Sequence, residues 1–245
     1  MSADPIPRLT AADRLLVALD VDSIEEATAL LDRLRGTVTG CKIGSQLFTA
    51  AGPAAVELAR KRDFRVFLDL KFHDIPNTVA GAVREATRLG VFMLNVHASG
   101  GIAMMRAAAG SATKAAADFK VARPLVIGVT VLTSLDRRTL EAEVGVPATV
   151  DRHVVFLADH AREAGLDGCV ASPQETRLLR RTMGARWVIV TPGIRPSTAA
   201  DDQVRVATPS AAIADGADYL VVGRPIIHAP DPATAAAAIL ADLPK

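Results

Sequence analysis

Short apolar runs alternate with longer segments of helical periodicity from residue 15 to the end of the chain. Each run is short and rich in β-branched residues, which is typical of a buried strand flanked by helices. Eight runs of this kind predict eight strands. In chain order they are LLVALD (15–20), CKIG (41–44), RVFLDL (65–70), VFMLNVHA (91–98), LVIGVTVL (125–132), GCVAS (168–172), WVIVTPG (187–193) and YLVVGRP (219–225).

The segments between the strands predict helices. The first opens with Ser23 and Glu26 at the spacing of a capping box, and the last is the alanine-rich stretch after Pro232. Eight strand-then-helix units, with strands apolar on both faces, predict an α/β fold of the (β/α)8 TIM-barrel type, as one catalytic domain over residues 1–245. A doubly wound open sheet is the alternative, because repetition alone does not show that the sheet closes.

Two connections are longer than the others, at residues 133–153 and 195–210. One follows the fifth predicted strand and the other follows the seventh. Long loops in a compact domain are commonly functional, so both are candidates for parts of a site.

The net charge and the lengths of the apolar runs disfavour nucleic acid and membranes as partners. The formal net charge is +1, so no global basic field favours nucleic acid. The first ten residues are polar and proline-broken, and no stretch approaches eighteen uninterrupted apolar residues, so we expect a soluble, cytoplasmic protein without a membrane partner. Cys41 and Cys169 lack metal-ligand spacing and lie in separate apolar runs, which favours small, buried, reduced residues over a disulfide or a zinc site.

Polar residues gather where the predicted strands end. In a parallel barrel these carboxyl ends form one face, and active sites are built there. The candidates in chain order are Asp20, Lys42, Asp69, Lys71, His97, Thr133, Ser134, Ser172, Thr191, Pro192, Gly193, Arg195, Gly223 and Arg224.

The stretch FLDLKFHDIPNT (67–78) crowds charges at the end of the third strand. Strand periodicity puts Asp69 and Lys71 on one side, and if that side faces the barrel mouth they converge with Asp20 and Lys42. The alternative is that each charge belongs to an ordinary solvated turn.

Other polar residues of these segments have equally ordinary explanations. His73 can be solvated and His97 can be a structural, hydrogen-bonded histidine. Thr78 and Gln203 lie at loop or helix-start positions, where a capping role is common.

The last two strands suggest a phosphate site. TPGIRP places Gly193 and Arg195 after the seventh strand, and GRPI places Gly223 and Arg224 after the eighth. Barrels often bind phosphate with these two loops, because glycine permits close backbone approach and arginine binds two oxygens at once. Plain turns are the alternative reading of the glycines. Since the sequence has no dinucleotide fingerprint, P-loop, nucleophile elbow or metal-ligand cluster, we expect chemistry on side chains, without cofactor or metal.

FLDLKFHDIPNT resembles, nearly residue for residue, the signature D-x-K-x-x-D-I-P-N-T of the orotidine 5'-phosphate decarboxylase family. The resemblance covers essentially the whole chain. The other matching segments, in the family's order, are LLVALD, CKIGSQLFTAAGP, NVHASGG, GVTVLTS, AGLDGCVAS, VTPGIRP, DDQVRVATP and YLVVGRPI. A related family of sugar-phosphate decarboxylases and synthases shares the short D-x-K-x-x-D element, so that element alone does not decide between the two families. The LTS segment and the segments TPGIRP, DQ and GRPI do.

The resemblance implies a role for each matching residue. Lys71 is the expected proton donor and Asp69 lies against the substrate carboxylate, while Lys42 and Asp20 support them and contact the ribose. Asp74, Ile75 and Thr78 serve the neighbouring subunit's site, which implies a homodimer with shared active sites. Thr133 is expected near the pyrimidine, and Arg195, Gln203, Gly223 and Arg224 are expected to hold the phosphate. Ser134 and Pro192 complete the expected substrate-binding set.

Two other functions stay open at this stage. One is a metal-dependent sugar-phosphate decarboxylase or aldolase, in which Asp69 would help to bind magnesium. The other is a phospho-ligand sensor that kept the barrel and lost its chemistry, which the presence of Lys71 with both aspartates disfavours. The segment 135–150 matches the family least, so its role is open.

Overall fold

The strands close into a barrel. A computed structural model of the protein describes residues 9–196 and 207–244, and in these ranges eight parallel strands pair in the order β1 to β8, with β8 pairing back onto β1. The predicted TIM barrel is therefore confirmed and the open sheet is wrong. The strands are β1 (Leu15–Ala18), β2 (Gly40–Gly44), β3 (Arg65–Phe72), β4 (Met93–His97), β5 (Leu125–Val129), β6 (Gly168–Val170), β7 (Val188–Thr191) and β8 (Tyr219–Val222).

Helices follow every strand along the chain. Twelve α-helices lie in the described ranges, together with one 3-10 turn at Ala98–Gly100. They are α1 (Ala11–Arg14), α2 (Ile24–Leu34), α3 (Ser45–Ala51), α4 (Pro53–Arg60), α5 (Pro76–Arg88), α6 (Gly101–Phe119), α7 (Arg137–Ala142), α8 (Val150–Glu163), α9 (Pro173–Met183), α10 (Pro209–Ala214), α11 (Arg224–Ile227) and α12 (Pro232–Ala241).

Two hydrophobic layers hold the barrel together. Alternate strand residues such as Leu16, Phe67 and Met93 fill the barrel interior. Their neighbours, including Val17 and Leu68, pack outward against the helices in a larger cluster. Every strand is thus buried on both faces, as the continuous apolar runs predict, and polar side chains on the interior face must collect at the two ends of the barrel.

Local details refine the predicted boundaries. Ser23 caps α2 by accepting from the Glu26 N–H, but the Glu26 carboxylate accepts from the Asp22 N–H rather than completing the box on Ser23. The long connection after β5 contains the short helix α7, which the sequence did not reveal. Of the helices described, none combines the length and the apolar character needed to cross a membrane.

Candidate functional site

A cavity of about 240 Å³ opens at the carboxyl ends of the strands. Seven of the eight strands, or the loops that follow them, line it, so a cavity lies where the sequence predicts the site. Most of the predicted residues lie in its wall: Asp20, Lys42, Asp69, Lys71, Thr133, Pro192, Gly193, Arg195, Gly223 and Arg224.

Four charges form a continuous array on one side of this cavity. The Lys42 ammonium lies 2.9 Å from an Asp20 oxygen and 3.5 Å from Asp69 Oδ2. The other oxygen of Asp69 lies 2.7 Å from Lys71 Nζ. Acids and amines therefore alternate in space as Asp20, Lys42, Asp69 and Lys71, and the predicted convergence is confirmed.

Burial separates the inner pair of this array from its ends. The side chains of Lys42 and Asp69 are 9% and 13% exposed, whereas those of Asp20 and Lys71 are 45% and 37% exposed. The inner pair is compensated by its neighbours, because a buried charge without a partner would be costly. The outer ends remain open to a ligand.

Glycine makes room for Lys42 on β2. A side chain at Gly44 would place its Cβ 2.7 Å from Lys42 Nζ, closer than real Cβ atoms approach. At the other end of the strand, a Cβ at Gly40 would lie 2.6 Å from Leu16 Cδ2. Gly44 therefore leaves space for the Lys42 ammonium inside the barrel mouth, whereas Gly40 leaves space for the Leu16 side chain.

Lys71 reaches Asp69 through an irregular backbone. Leu68 pairs with Leu94 and the next pair is Phe72 with Val96, so three residues of β3 lie opposite one residue of β4. Lys71 has φ +51°, in the left-handed region that costs a non-glycine residue about 1–2 kcal/mol. The sequence suggested simple strand alternation; the structure instead joins the two charges across a bulge, and bulges are common beside active sites.

The two candidate histidines form a ring pair beside the array. The centroids of His73 and His97 lie 5.3 Å apart, and neither ring is part of the cavity wall described above. Burial lowers the pKa of His97, and the neighbouring His73 and Lys71 lower it further. His97 is therefore neutral at pH 7, which suits a supporting residue better than a proton donor.

We expect the His97 ring to titrate below its ordinary value of 6.5 in a heteronuclear NMR pH titration. Because the unfolded chain then binds the proton more readily, His97 lowers the free energy of unfolding as pH falls through 6.5. Lys71→Ala should move the midpoint upward by removing a nearby positive charge. A His97 midpoint at or above 6.5 in the parent protein would contradict this assignment.

The loops after β7 and β8 bring two arginines to the cavity wall. Arg195 is almost fully buried, with Nη1 donating to the Ile194 carbonyl at 3.0 Å. Arg224 is exposed at the start of α11, directly after Gly223. Gly193 has φ +78°, a conformation that glycine adopts without strain, and this turns the chain into the cavity wall. Two arginines and two glycines thus line the part of the wall that follows β7 and β8, and Gly223 adjoins the Asp20 end of the array, where a Cβ on it would lie 3.6 Å from Asp20 Oδ2.

Four predicted site residues lie outside the cavity wall of their own chain. Asp74, Ile75 and Thr78 are exposed around the start of α5, where Asp74 accepts from the Ile75 N–H, and Thr78 is not the residue that caps the helix. Ser134 is exposed beside Thr133. Gln203 lies outside the described residues.

Several strand-end residues have structural roles. Ser172 is buried and caps α9 by accepting from the Gln174 N–H, and Thr191 is buried 3.4 Å from the Thr176 hydroxyl. Cys41 and Cys169 are both free and buried, and burial raises the pKa of each thiol to about 12. Within residues 9–196 and 207–244, no group of three His, Cys, Asp or Glu side chains could hold a metal ion.

Asn95 is a polar residue of the site that the sequence did not single out. It is fully buried on β4 and contacts both members of the Asp69 and Lys71 pair. The only signal in the sequence was an amide side chain inside an apolar run, two positions before His97. An asparagine in a strand becomes a candidate site residue only when the structure shows that its side chain faces the charged residues of the neighbouring strand.

Residues 13–239 match the model of a family described as "Orotidine 5'-phosphate decarboxylase / HUMPS family". The chain is 54% identical over 237 residues to an orotidine 5'-phosphate decarboxylase of Moorella thermoacetica, covering 96% of this chain and 94% of that one. It is 52% identical to the enzyme of the same name from Syntrophotalea carbinolica, covering 95% and 96% of the two chains.

Solved structures agree with these matches. The crystal structure of orotidine 5'-phosphate decarboxylase from Lactobacillus acidophilus superposes with a TM-score of 0.84 at 33% identity, covering 95% of this chain and all of that one. An uncharacterized conserved protein from Geobacillus kaustophilus gives a TM-score of 0.83 at 36% identity, with 94% of this chain and all of the other covered. The similarity therefore extends over the barrel and its cavity together.

Proposed function

The chain belongs to the orotidine 5'-phosphate decarboxylase / HUMPS family, and from this premise we propose how its charged cavity removes carbon dioxide from the nucleotide. The protein is a carboxy-lyase that converts orotidine 5'-phosphate to uridine 5'-phosphate, the last step of de novo pyrimidine nucleotide synthesis. The alternating array of Asp20, Lys42, Asp69 and Lys71 is the observation that supports our mechanism. We further propose a cytoplasmic location for this biosynthetic reaction.

The reaction breaks the bond between C6 of the pyrimidine and its carboxylate. The bonding electrons stay on C6 as carbon dioxide leaves, and no adjacent carbonyl delocalises the resulting carbanion. The Lys71 ammonium stabilises this negative charge and then donates a proton to C6. Uridine 5'-phosphate and a neutral Lys71 amine result, and solvent returns the proton to the amine.

Asp69 disfavours the substrate before the bond breaks. Its carboxylate would lie against the substrate carboxylate, and that repulsion disappears when carbon dioxide leaves. A pair of charges about 4 Å apart interacts by roughly 4 kcal/mol at an effective dielectric of about 20. Enzymes lower barriers by about 8–23 kcal/mol, so this repulsion and the attraction to Lys71 must act together. Lys42 holds the Asp69 carboxylate in place through its contact with Oδ2.

The phosphate of the substrate supplies binding energy at the part of the cavity wall that follows β7 and β8. Arg195 and Arg224 line that side, and the resemblance adds Gln203. Thr133 lies in the wall after β5, where it can contact the pyrimidine. Binding energy from a group remote from C6 can then be used to order the charged array around the reacting bond.

Removing the guanidinium in Arg224→Ala should lower kcat/KM for orotidine 5'-phosphate by about 10- to 150-fold, the equivalent of losing one charge-assisted hydrogen bond of about 1.5–3 kcal/mol. The much slower reaction of the nucleoside orotidine should hardly change, and phosphite dianion should accelerate it more in the parent than in the variant. The exposed Arg181, outside the cavity wall, provides the matched control in Arg181→Ala. Equal losses for nucleotide and nucleoside would instead make Arg224 a structural residue.

We propose in addition that two subunits share each active site. Asp74, Ile75 and Thr78 are exposed near the cavity mouth, and Ile75 is 66% exposed although it is apolar. These positions are outside the cavity wall of their own chain, so they are free to complete the cavity of a neighbouring copy in a homodimer. This is the arrangement that the family resemblance implies.

The direct test is to incubate the purified protein with orotidine 5'-phosphate and follow the loss of orotate absorbance. We expect stoichiometric uridine 5'-phosphate and carbon dioxide, with unchanged activity after treatment with a chelator. A rate that vanishes with the chelator and returns with Mg²⁺ would favour the metal-dependent sugar-phosphate chemistry. Tight binding of the nucleotide without turnover would favour a sensor.

A further inference from the structure

Asn95 contacts the reacting pair from the side away from the cavity. Its Nδ2 donates to Asp69 Oδ1 at 2.7 Å, the same oxygen that accepts from Lys71 Nζ. Its Oδ1 accepts from the Lys71 backbone N–H at 2.8 Å. One buried amide therefore holds the carboxylate of one residue and the backbone of the other.

The bulge in β3 explains why a side chain is needed at this position. Regular pairing between β3 and β4 lapses between Leu68 and Phe72, so the backbone N–H of Lys71 lies outside the regular ladder. Asn95 lies opposite the bulge and accepts that N–H with its side chain. The left-handed conformation of Lys71, which is unfavourable by itself, is thus held by a hydrogen bond from the neighbouring strand.

We propose that Asn95 is a positioning residue for the decarboxylation, an inference that rests on the function proposed above. Asn95 keeps Lys71 in its left-handed conformation and fixes the orientation of the Asp69 carboxylate, so that both groups meet C6 and its carboxylate in one geometry. A neutral amide suits this task because it donates to Asp69 and accepts from Lys71 without adding a charge to the array. Asn95 is covered by protein and acts through its two neighbours.

Two substitutions separate the two hydrogen bonds. Asn95→Leu keeps the approximate volume and removes both bonds. Asn95→Asp keeps an oxygen toward the Lys71 N–H but places a second carboxyl group against Asp69. The matched control is Thr87→Val, because Thr87 is a fully buried polar residue whose hydroxyl bonds only to the Val83 carbonyl within α5 among the bonds described.

We expect Asn95→Leu to lower kcat by about 10- to 100-fold, the effect of displacing catalytic groups by about 1 Å. KM for orotidine 5'-phosphate and Kd for uridine 5'-phosphate should change less than about threefold, because the ribose and phosphate contacts remain. Exchange of the C6 hydrogen of uridine 5'-phosphate with deuterated solvent is the reverse of the protonation step, and its rate should fall together with kcat. Thr87→Val should keep the parent kcat even if it lowers Tm as much as Asn95→Leu does.

The pH profile of Asn95→Asp provides a readout that a merely structural role does not move. Two carboxyl groups in contact share a proton, so the pKa of the pair is raised. Once protonated, the introduced group can donate to Asp69 as the amide did. The activity of Asn95→Asp relative to the parent should therefore increase as pH falls, while the ratio for Asn95→Leu stays constant. This variant is isosteric with the parent and serves even where Asn95→Leu does not fold.

The outcomes distinguish the two levels of the proposal. A parent protein that leaves orotidine 5'-phosphate unchanged overturns the proposed function itself. If the parent is active and Lys71→Ala is not, the positioning role is overturned by an Asn95→Leu kcat within threefold of the parent. It is equally overturned by a loss in Thr87→Val of the same size, or by an Asn95→Asp activity ratio that does not change with pH.

Discussion

Replacing Lys71 by alanine is expected to lower kcat for orotidine 5'-phosphate by at least about a thousandfold, the combined effect of losing a general acid and a fixed charge. Lys71 Nζ lies at the open end of the charged array, with Asp69 as its described ion-pair partner, so the substitution removes a site cation and leaves the apolar core intact. The measurement is the initial rate of absorbance loss at saturating substrate.

A matched control is Lys61→Ala, because Lys61 is an exposed lysine that pairs with Glu57 on the outside of the barrel. Its kcat should equal that of the parent. Circular dichroism and Tm should show that both variants fold. Turnover by Lys71→Ala within tenfold of the parent at neutral pH would exclude Lys71 as the main proton donor.

Mixing two inactive variants is expected to restore activity if subunits share their sites. In a dimer of one Lys71→Ala and one Asp74→Ala subunit, one site collects both substitutions and the other has neither. Random exchange makes half of the dimers mixed, so about a quarter of the parent activity should return. Asp74 makes this test possible because it is exposed, follows Lys71 by three residues and lies outside the cavity of its own chain.

Subunit exchange must be verified independently, for example with differently tagged chains and native mass spectrometry. Lys71→Ala mixed with Lys71→Ala carrying a second tag is the matched control and should stay inactive. Mixed dimers that are formed but remain inactive would place Asp74 in the same site as the Lys71 of its own chain. An active Asp74→Ala homodimer would remove Asp74 from the reaction.

Asn95 is a supporting residue of the site that could not be predicted from the sequence, although its charged neighbours could. Aspartate and lysine at a strand end attract notice because charges are costly to bury, whereas one asparagine within VFMLNVHA has the composition of an ordinary strand. Its contacts depend on a bulge in β3, the neighbouring strand in the barrel but separate along the chain. Local periodicity carries no information about such a mismatch in register.

The eight strands, their alternation with helices and the charged residues at the strand ends could all be predicted from the sequence, because apolar periodicity and residue type are local properties that burial acts on directly. Closure of the sheet is visible only in the folded molecule. The same holds for the position of Lys42 between Asp20 and Asp69, and for the left-handed bulge, held by Asn95, through which Lys71 reaches Asp69. These features depend on the register between strands far apart in sequence. The ion pairs and hydrogen bonds between residues of different strands therefore form only when the whole barrel has formed.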